Sequence, residues 1–316
     1  MKKAVIVGCN GQDGRLLYEN LSRKNYLVTG IARPASLNQP PDWHLSLNIG
    51  DRQAVADLIR TFVPDEIYYL AAFHHSSENL SFQEESELFR RSFQVHVLSL
   101  VNFLEAMRTH AQEARLFYAA SSHVFGNAAS EPQNEQTPFQ PTGVYGITKT
   151  AGIHTCRFYR DRHRLFAATG ILYNHESPYR KPIFVTKKII EGAINIKKGL
   201  QEKLVLGNMS SEVDWGYAPD YVEAFQKIVG LAAPDDFVIA TGKKHRVQDF
   251  VEITFEYLGL DWTKYVEEDK GIISKSGITL VGDPQKLMQM TAWKPSVDLR
   301  GMIKLLLQSE GVSLHR

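Results

Sequence analysis

The sequence predicts an α/β protein, a doubly wound parallel sheet joined to a smaller, discontinuous second domain. Three observations carry that reading. Short apolar strand-like runs alternate with amphipathic helix-like runs as far as Tyr173, an order that produces parallel sheets. A glycine-rich turn follows directly on the first strand. Beyond Tyr173 the regular alternation breaks up.

The elements follow in order. Ala4-Val5-Ile6-Val7 reads as a strand, a helix starts at about Asp13, and Tyr26 to Gly30 is the second strand. Another helix starts at about Asp51, and Glu66 to Leu70 is the third strand. Glu84 to Arg108 carries apolar Leu88, Val95, Leu98, Val101, Phe103 and Leu104 among charges, so it reads as one long helix or a helix with a single break. Strand Arg115 to Ala120 ends in a Ser-rich turn, a loop with Pro132, Pro138 and Pro141 follows, and a helix starts near Val144. Strand Leu165 to Leu172 closes the regular part. After it come a helix from about Phe184 to Gly199, a lone strand near Asp236 to Ala240 and scattered short elements. The expected division is a first domain over residues 1–173, to which about 209–242 returns, and a second over 174–208 and 243–316.

Composition excludes several classes. With 316 residues, 43% hydrophobic and 22% charged, the chain buries a sizeable core and is neither disordered nor collagen-like. Thirty-six Lys+Arg against 35 Asp+Glu leave a formal charge of +1, which lacks the positive field of a nucleic-acid or membrane-surface binder. Cys9 and Cys156 lie far apart with no CxxC or Cys/His spacing, so neither a disulfide framework nor a metal site is expected, and a reducing compartment fits. Met1-Lys2-Lys3 runs straight into a strand, and no apolar stretch nears the ~18 residues of a membrane span, which points to the cytoplasm.

The turn after the first strand is Gly8-Cys9-Asn10-Gly11-Gln12-Asp13-Gly14. Its three glycines, spaced by three, stand where backbone approaches a dinucleotide pyrophosphate and a helix N-terminus faces the anion. The second strand ends at Gly30-Ile31-Ala32-Arg33 with no acidic residue for a ribose 2′-hydroxyl. Arg33 instead suits a 2′-phosphate, favouring NADP, with NAD as the alternative. Asn48, before Asp51, is a weaker candidate for the adenine edge.

Tyr145-Gly146-Ile147-Thr148-Lys149 puts a phenol and an ammonium four residues apart, on one helix face. A nearby cation favours the phenolate, so the pair could exchange a hydroxyl proton while hydride moves to or from nicotinamide. Ser121 and His123 follow a strand at the carboxyl end of the sheet, and if the strand stays extended they share a side. His123 is either an acid–base group or a loop histidine satisfied by backbone. His74, His75 and His96 are as readily packing or solvent groups as ligands.

Taken together, these segments resemble the extended short-chain dehydrogenase/reductases, and within them the GDP-mannose 4,6-dehydratase family. The likeness rests on Val7 to Gly14, Pro64 to Tyr68, Phe117 to Ser122, Tyr145 with Lys149, and above all Gly170 to Pro178. It continues through Phe184-Val185-Thr186, Leu206 to Met209, Asp214-Trp215-Gly216, Asp220 to Ala224, Asp236 to Gly242, Gly282-Asp283-Pro284 and Trp293-Lys294-Pro295. The resemblance implies a Rossmann domain carrying NADP(H) and a carboxyl-terminal domain holding a nucleotide-diphosphate sugar, GDP-sugar favoured. It implies Tyr145 as the base at the sugar 4-hydroxyl, Lys149 at the nicotinamide ribose and Ser121 at the oxygen on carbon 4. It adds Asn10, Gln12, Asp13, Ile49, Leu70, Ala71, Ala72, Tyr173 and His175 on the cofactor side. Asn174, Val185, Lys188 and Asn208 fall near the nucleotide-sugar.

The departures bear on chemistry. The family's dehydratases place a Glu two residues after the Ser/Thr to remove the proton on carbon 5, and here that position is His123. Val213 replaces the Arg before Asp-Trp-Gly that meets the diphosphate, and Ser274 to Thr279 replaces an Arg-Pro-x-Glu stretch. An insertion that helps join dimers into tetramers is shortened around Leu37 to His44, so a homodimer is expected. The sequence therefore supports a nucleotide-sugar dehydratase, with a 4-keto-sugar reductase, 4-dehydrogenase or epimerase as alternatives. A catalytically impaired cofactor-binding partner protein is the alternative of another class.

Overall fold

The computed structural model describes residues 1–33, 42–73, 82–269 and 279–313. Seven strands form one parallel sheet: β1 (Lys3–Val7), β2 (Leu27–Ala32), β3 (His44–Ser46), β4 (Glu66–Tyr69), β5 (Arg115–Ala119), β6 (Phe166–Leu172) and, much later in the chain, a strand at Asp236–Ile239. Their spatial order starts with that late strand beside β6 and runs on through β5, β4, β1, β2 and β3. The direction of strand succession reverses between β1 and β4, so the carboxyl ends of these strands open the crevice in which such sheets hold ligands. The lone strand expected near Asp236 to Ala240 is thus an edge of the main sheet, paired in parallel with β6.

Helices α1 (Gln12–Arg23), α2 (Arg52–Phe62), α3 (Phe82–Phe93), α4 (Ser99–His110) and α5 (Val144–His163) connect the strands. Period-two alternation sorts the strand side chains between two cores. Val5, Val7, Ile67, Tyr69 and Leu116 bury on one face with Val55, Ile59, Phe103 and Ile153. Ala4, Ile6, Tyr68 and Phe117 bury on the other with Leu17, Leu21 and the later Tyr221 and Phe225. The break expected between Glu84 and Arg108 is a π-helical turn at Gln94–Leu98. Its widened geometry goes with carbonyls that find partners outside the helix. The Tyr69 hydroxyl donates to the Val95 carbonyl at 2.5 Å and the Tyr118 hydroxyl to the His96 carbonyl at 3.2 Å.

Past Tyr173 come β7 (Asn174–Glu176), α6 (Val185–Lys197), β8 (Leu204–Leu206), β9 (Glu212–Tyr217) and α7 (Ala218–Val229). After the edge strand, which is β10, follow β11 (Lys244–Arg246), α8 (Val247–Tyr257), β12 (Val266–Glu268), α9 (Gln285–Thr291) and α10 (Leu299–Ser309). Of these, only α6 and β10 are clearly marked in the sequence. Strands β11, β9 and β7 make a small sheet, β12 pairs with β8, and α6, α8 and α10 bury Ile189, Phe250, Phe255, Ile303 and Leu307 in a third apolar cluster. Helix α7 packs on the main sheet. Leu287 and Trp293 return to that layer too, which a boundary at residue 243 does not anticipate.

The long loop from Gly126 to Pro141 ties this frame together. Gln133 accepts from Tyr173 Oη at 2.9 Å and from the Val281 backbone at 3.0 Å, and Glu135 accepts the Val238 backbone N–H at 2.7 Å on the sheet's edge strand. A half-buried carboxylate bonded to an edge N–H blocks further strand addition there.

Candidate active site

The glycine turn is shaped by contacts that exclude side chains. Gly8 has φ +96°, and a Cβ on it would lie 2.8 Å from the Ala71 nitrogen; one on Gly14 would lie 2.6 Å from the Gly8 oxygen. Backbone, not side chain, therefore lines the crevice between Gly8 and Leu70-Ala71-Ala72. Gly11 is the N-cap of α1 and offers no side-chain cap, which leaves first-turn N–H groups directed at whatever occupies the crevice. These features fit a dinucleotide pyrophosphate.

Cys9 and Asn10 sit within the turn, and burial pushes the Cys9 thiol up to about 11. Arg33 follows β2, and Asn48 and Ile49 follow β3. Asn48 spends its side-chain oxygen on the Gly50 N–H at 3.0 Å, and the Ile49 carbonyl accepts from Asn102 at 3.0 Å. Both stabilise the turn into α2.

Gln12 and Asp13 reach across to the small sheet. Gln12 donates to the His175 carbonyl at 3.0 Å and accepts from the Ser177 hydroxyl at 2.8 Å, while His175 Nε2 lies 3.1 Å from each Asp13 carboxylate oxygen. Burial disfavours charge on both partners, yet their mutual attraction and hydrogen bonding hold Asp13 below and His175 above their ordinary values.

Ser121, His123, Tyr145 and Lys149 come together at the carboxyl ends of β5 and α5's first turns. The chain after β5 does not stay extended. Ser121 caps a 3₁₀ turn at Ser122–Val124, its Oγ accepting the His123 N–H at 3.3 Å. His123 nevertheless faces the phenol, its ring edge-on to Tyr145 with centroids 5.8 Å apart. Lys149 is buried, donates to the Ala119 carbonyl at 2.7 Å, and lies 5.7 Å from the Tyr145 ring centroid.

The protonation states differ from the expectation of a lowered phenol. Burial pushes Tyr145 up to about 12, with Arg180 drawing it down and Asp13 raising it. Burial also pushes Lys149 down to about 7. Desolvation outweighs the pairing because both groups lose water and the ammonium is itself close to losing its proton.

His96, left open by the sequence, belongs to this constellation. It is fully buried in the π turn, accepts the Phe73 N–H on Nε2 at 2.9 Å, and has Nδ1 2.7 Å from Thr148 Oγ1. Its ring meets Tyr145 edge-on at 5.3 Å. The single break expected between Glu84 and Arg108 was the available signal, though not its π geometry. His74 and His75 lie outside the described residues.

On the other side of the crevice Tyr173 precedes Asn174, which starts β7 and is exposed. Val185 and Lys188 lie on the first turn of α6, and Asn208 turns the chain after β8 by accepting the Ser210 N–H at 2.8 Å. Val213 pairs with His245 and packs at the edge of the third apolar cluster. Ser274 to Ile278 lie outside the described residues, as do Leu37 to Pro41. Among the described residues no group of three or more His, Cys, Asp or Glu could hold a metal ion, and no helix is long and apolar enough to cross a membrane.

A Rossmann-type sheet, a glycine turn at its crevice and a Tyr/Lys pair beside a serine define a member of the short-chain dehydrogenase/reductase class. The GDP-mannose 4,6 dehydratase family model matches residues 5–306, and the chain belongs to that family. It is 36% identical to GDP-mannose 4,6 dehydratase 1 of Arabidopsis thaliana, over 98% of this chain and 90% of that protein. It is 34% identical to the GDP-mannose 4,6-dehydratase of Yersinia enterocolitica, over 96% and 92%. Among solved structures, RMD from Pseudomonas aeruginosa complexed with NADPH superposes with a TM-score of 0.82 at 18% identity, covering 98% of each chain. The Thermus thermophilus UDP-glucose 4-epimerase complex with NAD gives 0.81 at 21% identity, over 98% of this chain and 100% of that one.

Proposed function

We propose that the chain is an NADP(H)-dependent enzyme that oxidises or reduces carbon 4 of a nucleotide-diphosphate sugar, with a GDP-sugar as the favoured substrate. The observation that carries this reading is the convergence of Tyr145, Lys149, Ser121 and His123 beside a turn shaped for a pyrophosphate. The cofactor, when bound, supplies the hydride acceptor or donor. Tyr145 takes the proton of the 4-hydroxyl as the C4–H bond breaks and the carbonyl forms, and returns it in the reverse direction. Ser121 hydrogen-bonds the same oxygen. Lys149, which burial brings to about 7, would hold the nicotinamide ribose. Asn174, Val185, Lys188 and Asn208 would meet the nucleotide-sugar, with Lys188 or Arg180 supplying the positive charge that Val213 lacks. Arg33 would hold a 2′-phosphate, so Arg33→Ala weakens NADP(H) binding about tenfold and leaves NAD(H) unchanged, as measured by titration.

A second reading is favoured by His123. An imidazole facing Tyr145 removes or returns a proton next to a ketone, which suits 4-keto-sugar reduction, release or epimerisation as well as elimination of water. A non-catalytic binding partner has no use for a buried phenol and ammonium aimed at one crevice.

Homodimer formation is supported by the outward stripe of α5, where Ile147 and Phe158 are 36% and 56% exposed, beside Leu98 at 53%. The testing experiment incubates the purified protein with GDP-mannose and NADP+, following reduced cofactor by absorbance and the sugar nucleotide by mass. Loss of about 18 mass units, one water, identifies dehydration with His123 in the glutamate's place. Unchanged GDP-mannose moves the assignment to a 4-keto-sugar reductase, an epimerase or another nucleotide-sugar.

A further inference from the structure

The helix that would hold the pyrophosphate carries a carboxylate in its first turn, Asp13. A helix N-terminus attracts anions, and a carboxylate in the same turn opposes a second one. His175 answers it from the small sheet. Its Nε2 is 3.1 Å from both Asp13 oxygens and its Nδ1 is 2.6 Å from the Tyr173 carbonyl oxygen. A ring whose two nitrogens both face oxygen acceptors is satisfied only when both are protonated, so this imidazole is held as the cation. It stacks on Tyr221 with centroids 4.5 Å apart and planes 20° from parallel, and is 8% exposed.

We propose that His175 is the counter-ion that cancels the charge of Asp13 beneath the dinucleotide pyrophosphate, so that cofactor affinity depends on the two residues as one unit. This rests on reading the glycine turn as a dinucleotide site. The other charged and titratable groups facing the pair are Glu176 and Arg180 beside β7, Tyr173 after β6, Tyr221 on α7 and Tyr145 on α5. Glu176 already faces its own cation, Arg180 Nε at 3.1 Å, and accepts from Thr186 at 2.7 Å. The tyrosines are held neutral, Tyr221 by burial above all. Arg180 also favours the Asp13 charge from farther away and Gln12 donates to it at 3.3 Å, but among the described residues His175 is the cation within hydrogen-bond distance of Asp13. The Asp13 charge also reaches Tyr145 and favours the protonated phenol, so the same cancellation eases loss of the phenolic proton.

The test is a double-mutant cycle on the full chain, with NADPH as probe and affinity read by fluorescence titration at pH 6.5. His175→Gln leaves Asp13 uncompensated and weakens NADPH about tenfold or more. Asp13→Asn, which removes the charge that His175 cancels, weakens NADPH less than His175→Gln does, and the double variant Asp13→Asn/His175→Gln recovers most of the His175→Gln loss. A double variant as weak as His175→Gln overturns the proposal, as does a His175→Gln protein that binds like the parent. If His175→Gln does not fold, the parent protein decides the matter. Its NADPH affinity falls as pH rises past the ordinary imidazole value more steeply than that of Asp13→Asn, in which Lys149 still titrates but loss of the His175 proton leaves no carboxylate uncancelled. Equal slopes overturn the counter-ion role. A parent protein that binds neither NADPH nor NADH overturns the dinucleotide reading itself, and the counter-ion with it.

Discussion

The two walls of the crevice are built differently. On the glycine-turn side the shape is set by backbone packed against backbone, with Gly8 against Ala71 and Gly14 against Gly8, and by buried side chains whose hydrogen bonds are all internal, Lys149 and His96 among them. On the other side the candidates Asn174, Lys188 and Asn208 are exposed and stand on a three-residue strand, a helix's first turn and a loop. A wall made of close approaches tolerates few residue types. A wall made of exposed side chains can change its chemistry without disturbing the fold, and the departure from the family pattern at Val213 lies on that side. His123 is the exception, a departure on the rigid side.

The largest effect that sharpens this contrast is at Tyr145. Tyr145→Phe lowers kcat/KM by about 10²–10⁴ while NADPH affinity stays within about twofold; cofactor reduction at the parental rate would remove the catalytic reading. Gly14→Ala comes next. Its Cβ would press on the Gly8 oxygen at 2.6 Å and the Cys9 Cα at 2.7 Å, so NADPH binding weakens tenfold or more and stability falls by about 1–3 kcal/mol, read from the titration and a denaturant midpoint. Val213→Arg tests the permissive wall and lowers KM for the nucleotide-sugar about tenfold with NADPH affinity unchanged. Loss of stability without any change in KM would place Val213 wholly in the apolar cluster.

The smallest effect is a pH-dependent one across the two walls. Asp13 is held below its unfolded value, so its contribution is present above about pH 4 and disappears as acid protonates it. His175 is held above its unfolded value, so its contribution is full below about pH 6.5 and disappears as pH rises through the raised folded value. The Tm gap between the parent and His175→Gln is therefore widest between about pH 4 and 6.5, a few degrees, and closes on either side. A gap constant from pH 4 to 9 would show that the pair does not titrate with folding.

What the sequence disclosed follows the same division. The strands of the main sheet, the glycine turn and the Tyr145/Lys149 pair were legible because backbone approach and a four-residue helical spacing leave local marks. Helix α10 had such marks and was missed: Asp298 caps it through the Gly301 N–H at 2.8 Å, and Leu299, Met302, Ile303, Leu306 and Leu307 repeat with helical period. Burial, which raises the Tyr145 phenol, depends on the whole fold and so was not legible in the four-residue spacing to Lys149. The Asp13–His175 pair spans 162 positions, and no local pattern announces it. The π turn depends on hydroxyls arriving from β4 and β5, which its own five residues do not encode.

That turn has a consequence for the whole helix that contains it. Adding a residue to one turn offsets everything before it by about 100° relative to everything after it. Here the offset lets α3 lie along α5 while α4, in the same continuous helix, lies against α2. Deleting one residue within Gln94–Leu98 would restore an ordinary helix and swing α3 away from α5, taking the His96 ring from beneath Tyr145. A length change of a single residue there would alter catalysis through the position of the His96 ring against Tyr145.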